Sequence, residues 1–177
     1  MRRRLERGAT LIETALVLPL LILLAIGLSE TGFAVVDWLA VSNAAREGAR
    51  VGSAAGANPT ADQLILSVVG QASCALHGGD LKQVRIFKVD DAGNLVGNSE
   101  NVYTPASINC SLKTSSWTKV KENWPAATRN NKVGNLDRVA VEVTFEHSSV
   151  TGLMPLFEGT FSDTAVMRIE PDTQGTS

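Results

Sequence analysis

The sequence predicts an α+β protein: a long N-terminal transmembrane helix extends into a soluble domain, where a second helix packs on an antiparallel sheet. Three observations carry this. Residues 14–29 hold no charge and consist mainly of Leu, Ile, Val and Ala, close to the length that crosses a bilayer as a helix. Helical periodicity continues beyond that run, and a second apolar stripe follows a Gly-Asn-Pro break. Strand-like alternation then marks the second half, most clearly at residues 136–146. Helices first and strands afterwards are the order of an α+β chain.

The 177 residues suffice for one domain plus an anchor. With a net charge of -2 there is no basic field for nucleic acid, and none is expected as a partner. Basic charge is concentrated at the start, where Arg2, Arg3, Arg4 and Arg7 face only Glu6. Positive residues before the first apolar run favour a cytoplasmic N-terminus, which puts the bulk of the chain beyond the inner membrane. In that compartment the two cysteines, Cys74 and Cys110, fit one disulfide. A cleaved signal peptide has the same basic and apolar regions, but no small-x-small site follows Leu28 and the helical pattern does not stop there. An uncleaved ordinary anchor is the other alternative.

Residues 1–8 read as a leader and residues 9–54 as one helix, membrane-embedded in its first half. Pro19 removes a backbone donor and crowds the preceding turn, so a kink is expected there. Above the membrane Phe33, Val36, Ala40 and Ala44 recur at helical steps, while Glu30 and Asp37 sit two turns apart on one side. Ala44, Gly48 and Gly52 form a small-residue ridge that admits another backbone. It packs either on the protein's own sheet, which general helix packing favours, or on another subunit. The extracytoplasmic α+β domain spans 55–171, and 172–177 are a polar tail. Thr60 and Gln63 have the spacing of a capping box. Leu64, Ile65, Val68, Val69, Ala72 and Leu76 form the stripe of the second helix.

Residues 82–90 read as a strand in which adjacent Ile86 and Phe87 imply a bulge or burial on both faces. Asp91 to Asn94 form a turn, and a short strand returns near Leu95. Residues 97–135, polar and rich in Asn and Ser, read as a long connection pinned to the core by Trp117 and Trp124. In 136–146, Val139, Val141, Val143 and Phe145 face one way and Ala140, Glu142, Thr144 and Glu146 the other, as in a sheet with one wet face. An apolar loop at 152–157 leads to a last strand, 161–169, with Ala165, Met167 and Ile169 inward.

Catalytic patterns are absent: no G-x-S-x-G, no P-loop, no H-E-x-x-H. No enzyme activity and no cofactor are expected. Cys74, His77, Cys110 and His147 are zinc-ligand types, but their spacing matches no zinc signature and a disulfide would consume both thiols, so no metal is expected. His147 reads as a surface residue. Asp90, Asp91 and Asn94 lack the twelve-residue calcium loop and read as a solvated turn.

One carboxylate stands out. In Gly8-Ala9-Thr10-Leu11-Ile12-Glu13-Thr14-Ala15-Leu16-Val17-Leu18-Pro19, Glu13 lies at the mouth of the apolar run, where a charge is unfavourable and usually marks a specific partner. A basic leader, then Gly, then Glu as fifth residue of an apolar helix, resembles the processing signal of type IV pilins and pseudopilins. Ala-Leu-Val-Leu-Pro-Leu-Leu and the later Ala44 to Arg50 segment resemble the TadE-like branch, minor pilins or pseudopilins of tight-adherence (Flp, type IVc) pilus systems. Ala165 to Pro171 is also similar to that family. The resemblance implies cutting between Gly8 and Ala9 by a prepilin peptidase, methylation of the new Ala9 amine, and pairing of Glu13 with the amino terminus of a neighbouring pilin subunit. It also implies the other family partners: the lipid bilayer and the inner-membrane pilus assembly platform. Thr14 in place of the usual aromatic, together with the chain length, points to a minor subunit rather than the shaft. A type IV pilin proper, a type II secretion pseudopilin and a membrane-anchored binding or sensing module remain the alternatives.

Overall fold

The computed structural model describes residues 2–152 and 158–171, with side chains from Thr10 onward. The stretch 153–157 of the expected apolar loop and the tail 172–177 lie outside the described residues. Helix α1 spans Arg2–Ala55 and runs through Pro19 as one element. The leader therefore has helical backbone, so α1 begins earlier than the expected start at residue 9. Helix α2, Ala61–Ala72, follows a turn at Gly56, whose φ of 54° lies in the left-handed region that favours glycine.

Five strands follow: β1 Gly79–Val89, β2 Leu95–Asn109, β3 Thr114–Glu122, β4 Arg138–His147 and β5 Gly159–Arg168. They form one antiparallel sheet in the order β3-β2-β1-β4-β5. Both helices pack on one face. The core there is built from Val41, Ala45 and Ala49 of α1, Ile65 and Val69 of α2, and Val84, Ile86, Val139, Val141, Val143 and Phe145 of the sheet. Burying such a side chain fully stabilises by about 1.5–3 kcal/mol each, and that is why the period-two pattern of β4 decides which face turns inward.

The opposite face carries a ladder of charge. Arg85 meets Glu100 at 2.5 Å and Glu142 at 3.6 Å, Lys121 meets Glu100, and Lys82 meets Glu146 at 2.7 Å. Lys121 and Arg85 together hold the Glu100 carboxyl below its usual range. Phe87, Val89 and Ala140 make a small second cluster on this side. Ile86 and Phe87 are thus buried on opposite faces, and the β1–β2 register also shifts between Phe87 and Val89.

Several expectations change. Residues 97–135 are not a long connection: most of 97–122 is the β2–β3 hairpin, and only the stretch before β4 is irregular. β3 lies at the sheet edge, where water on its outer side permits Ser, Thr and Lys in place of an apolar alternation. The capping box does not form. Thr60 bonds back to Asn58 Oδ1 at 2.9 Å and offers no cap to α2. Leu66, not Leu64, faces the core; Leu64 is 45 % exposed, because Ile65, Leu66 and Val69 together cover the sheet. Val36 also points outward, since Glu30, Asp37 and Val41 occupy the inward side of α1.

The ridge of small residues packs on the protein's own core. A Cβ at Gly48 would lie 3.1 Å from both Val141 Cγ1 and Val69 Cγ2, and one at Gly52 would lie 2.9 Å from Ile65 Cδ1. Cys74 and Cys110 are joined as a disulfide that ties the end of α2 to the tip of the β2–β3 hairpin.

Candidate functional site

The lower part of α1 is bare. Thr10 to Ala55 contains a window of mean hydropathy 2.5 with none of its residues buried, so this helix is long and apolar enough to span a membrane. Its hydroxyls are satisfied within the helix: Thr14, Ser29 and Thr31 donate to the carbonyls of Thr10, Ala25 and Gly27 at 2.8–2.9 Å. Back-bonding of this kind removes the cost of placing a hydroxyl in hydrocarbon. Glu13 is exposed and lies in a shallow cleft with Thr14, Val17, Leu18 and Leu21. Among the described residues it meets no cation. Gly8 and Ala9 are helical in backbone, one turn before it.

Above the bare part, α1 is gripped by the domain through two more carboxylates. Glu30 is fully buried and accepts hydrogen bonds from Ser149 Oγ at 2.9 Å, Val150 N at 3.0 Å, Thr151 N at 2.7 Å and Thr151 Oγ1. Asp37, also fully buried, accepts His77 N at 2.8 Å and Gly78 N at 3.1 Å, and its Oδ2 lies 2.9 Å from His147 Nδ1. The His77 ring stacks on Phe33 at 5.9 Å. His147 is therefore not a surface residue. It closes the end of β4 against the helix, and Gly79 beside it has no room for a side chain, since a Cβ there would lie 2.2 Å from Glu146 O. These carboxylates hold two loops by donors that would otherwise be unpaired, so each replaces water rather than adding a free charge.

A third buried carboxylate, Asp62, sits in the first turn of α2 and accepts from Asn101 Nδ2 at 2.7 Å, Tyr103 Oη at 2.8 Å and Arg129 Nη2. Burial and this carboxylate push the Tyr103 hydroxyl well above its usual range. Asn101 also brackets the Trp124 backbone, and the Arg129 guanidinium lies over the Trp124 ring at 4.6 Å. This network fastens the irregular stretch before β4. Beside it a cleft of about 590 Å³ opens between α2 and β3, lined by Gln63, Ser67, Lys113, Trp117 and Lys119 among others. Trp124 is buried, as a pin should be; Trp117 is a strand residue partly buried against the core.

Among the described residues no group of three His, Cys, Asp or Glu side chains could hold a metal. Sequence reasoning set Glu30 and Asp37 on one side of the helix but missed what they hold. Their partners lie more than 100 residues away for Glu30, and at 77–78 and 147 for Asp37, which no local pattern reveals. The signal that existed was the pair itself: two carboxylates on the inward side of an apolar helix require donors.

Residues 8–50 match the family model described as TadE-like protein. No curated protein and no solved structure matches the chain. The matched segment starts at Gly8, takes in Glu13, the bare part of α1, Glu30 and Asp37, and ends within the small-residue ridge.

Proposed function

We propose that this chain is a minor pilin or pseudopilin that takes part in assembling a tight-adherence (Flp, type IVc) pilus used in adhesion, and that its part is structural rather than catalytic. One observation carries the reading. The TadE-like segment begins at the Gly8-Ala9 junction and coincides with a helix whose lower part is bare and whose upper part holds an α+β domain. In this reading the basic leader stays in the cytoplasm, α1 crosses the inner membrane, and the domain lies outside. A prepilin peptidase removes residues 1–8. Since Gly8 lies within helical backbone, the chain unwinds locally to be cut. The new Ala9 ammonium and Glu13 are then one helical turn apart. Within hydrocarbon, where water and salt screen little, the carboxylate of one subunit attracts the ammonium of the next. The other partners are the inner-membrane assembly platform and sister pilins.

The test is the intact mass of protein extracted from membranes of a host with an active pilus system. Loss of residues 1–8 is expected, and Gly8→Val is expected to leave the precursor whole. Full-length wild-type protein in such a host would remove the reading. A membrane-anchored binding module then becomes the better account, and the observation in its favour is the cleft beside Trp117.

A further inference from the structure

The outward side of α1 stays apolar well past the uncharged run. Leu28, Val35, Val36, Trp38 and Leu39 are all 44 % exposed or more, and the first charged residue exposed on that side above Glu13 is Arg46. Every carboxylate between them is turned inward and satisfied: Glu30 by the loop after β4, Asp37 by the loop before β1 and by His147. From Leu11 to Leu39 the exposed apolar side is ~42 Å long at the helical rise. A bilayer's hydrocarbon covers only about 30 Å, but its full thickness with headgroups is about 40–45 Å. With Glu13 at the inner edge of the hydrocarbon, Glu30 lies ~26 Å and Trp38 ~38 Å along the axis. The first is inside the outer hydrocarbon boundary; the second is at the outer limit of a headgroup layer only about 5–7 Å deep, and the roughly 20° tilt usual for such helices lowers it to ~35 Å, within the layer where tryptophan is enriched.

We infer that the base of the folded domain is set into the headgroup layer of the leaflet on its own side, with Val35, Trp38 and Leu39 of α1 and Val150 of the β4–β5 connection in contact with lipid. Val150 belongs to this surface because its amide is bonded to Glu30, which fixes its height, while its side chain is 44 % exposed. The two buried carboxylates make the placement possible. The amides of His77, Gly78, Val150 and Thr151 are bonded to a carboxylate instead of meeting lipid unpaired, and both carboxylates are buried away from the headgroups. A second copy of α1 is the other occupant that could cover this side. Lipid is favoured because the surface continues without a break from the run that spans the membrane, and because its total length equals that of a bilayer with headgroups rather than of hydrocarbon alone. The inference rests on α1 as the membrane span and not on the pilus assignment.

Depth measurement by electron paramagnetic resonance tests it. The native cysteines are paired, so single variants Leu21→Cys, Leu39→Cys, Val150→Cys and Val133→Cys of the full chain each carry one spin label. They are placed in vesicles of phosphatidylethanolamine and phosphatidylglycerol. Val133 is 82 % exposed, on the loop whose Asn131 lies beside Gly56 at the far end of α1, and serves as the aqueous reference. The expected result is a severalfold higher ratio of oxygen to nickel-chelate collisions at Leu39 and Val150 than at Val133, and a higher ratio still at Leu21. Ratios at Leu39 and Val150 equal to that at Val133, with Leu21 deep, would overturn the inference and leave the span intact. A shallow Leu21 would overturn the span itself. Dipolar broadening at Leu39 that persists on dilution with unlabelled lipid would show a second copy covering the face, and would also overturn it.

Discussion

Glu13 and Glu30 stand on the same helix, and their surroundings are opposite. Glu13 is exposed on a bare stretch with no cation near it among the described residues, whereas Glu30 is fully buried under four hydrogen bonds from one loop. The same division holds for the regions around them. From Leu11 to Leu24 every large apolar side chain of α1 is exposed; farther up the helix is built into the core through Val41, Ala45 and Ala49. The difference separates what this chain completes by itself from what it leaves to others. A carboxylate that serves the fold finds its donors in the same chain. Glu13 has none among the described residues, and in the proposed reading its partner is the Ala9 ammonium of a sister subunit.

The largest effect should fall wholly on the domain. Cys74→Ser with Cys110→Ser opens a loop with a sequence separation of 36, which should cost about 4 kcal/mol by chain entropy. Urea unfolding of the full chain in detergent, followed by tryptophan fluorescence, should show that loss while helical content in the bare part of α1 persists. Next is Asp37→Ala. It strands the His77 and Gly78 amides and the buried His147 ring, at about 3 kcal/mol in the same assay. An unchanged midpoint would mean that the domain does not need its grip on the helix. A matched pair then sharpens the boundary between the regions. Gly48→Leu forces a side chain against Val141 and Val69 and should cost about 2 kcal/mol, whereas Gly32→Leu, with open space around it, should stay within about 0.5 kcal/mol. Equal costs would erase the division. The smallest effect on stability belongs to Glu13→Leu, with a midpoint shift near zero. Its consequence should appear elsewhere, as lost recovery of sister pilins in pull-downs and fewer surface pili by microscopy. Normal piliation would show that Glu13 is not an assembly contact.

The division was partly legible in the sequence. Leu-rich residues with one misplaced carboxylate announce the bare helix, and the strict alternation from Val139 to Phe145 announces a strand with one buried face. Two cysteines outside the membrane run allow only one intramolecular pairing, the one the fold makes. What stayed hidden was hidden for physical reasons. β3 is an edge strand, so its polar residues carry no alternation to read. Ile65 and Leu66 are both buried because α2 packs against α1 and also against the β3 end of the sheet, a width of contact that a single stripe does not predict. His147 looks like any polar residue at a strand end until Asp37 is placed beside it. Thr60 and Gln63 had the right spacing for a cap, yet Asn58 is nearer and takes the Thr60 hydroxyl.

The long reach of Glu30 also sets an order of events in time. Its donors are Ser149, Val150 and Thr151, and the last described turn of the chain returns to the upper end of α1, where Glu170 N donates to Ser53 O. A chain made from its N-terminus therefore presents α1 first; the Asp37 amide donors follow at residues 77 and 78, but Glu30 waits for its donors until about residue 150. β4 and β5 are the last pieces to arrive and the ones that cover α1. The contacts that close the domain on α1 thus join distant parts of the chain, the kind of contact that slows folding. Any chain halted before residue 149 lacks all three of the residues that donate to Glu30, whereas Asp37 already has the amides of His77 and Gly78 within reach.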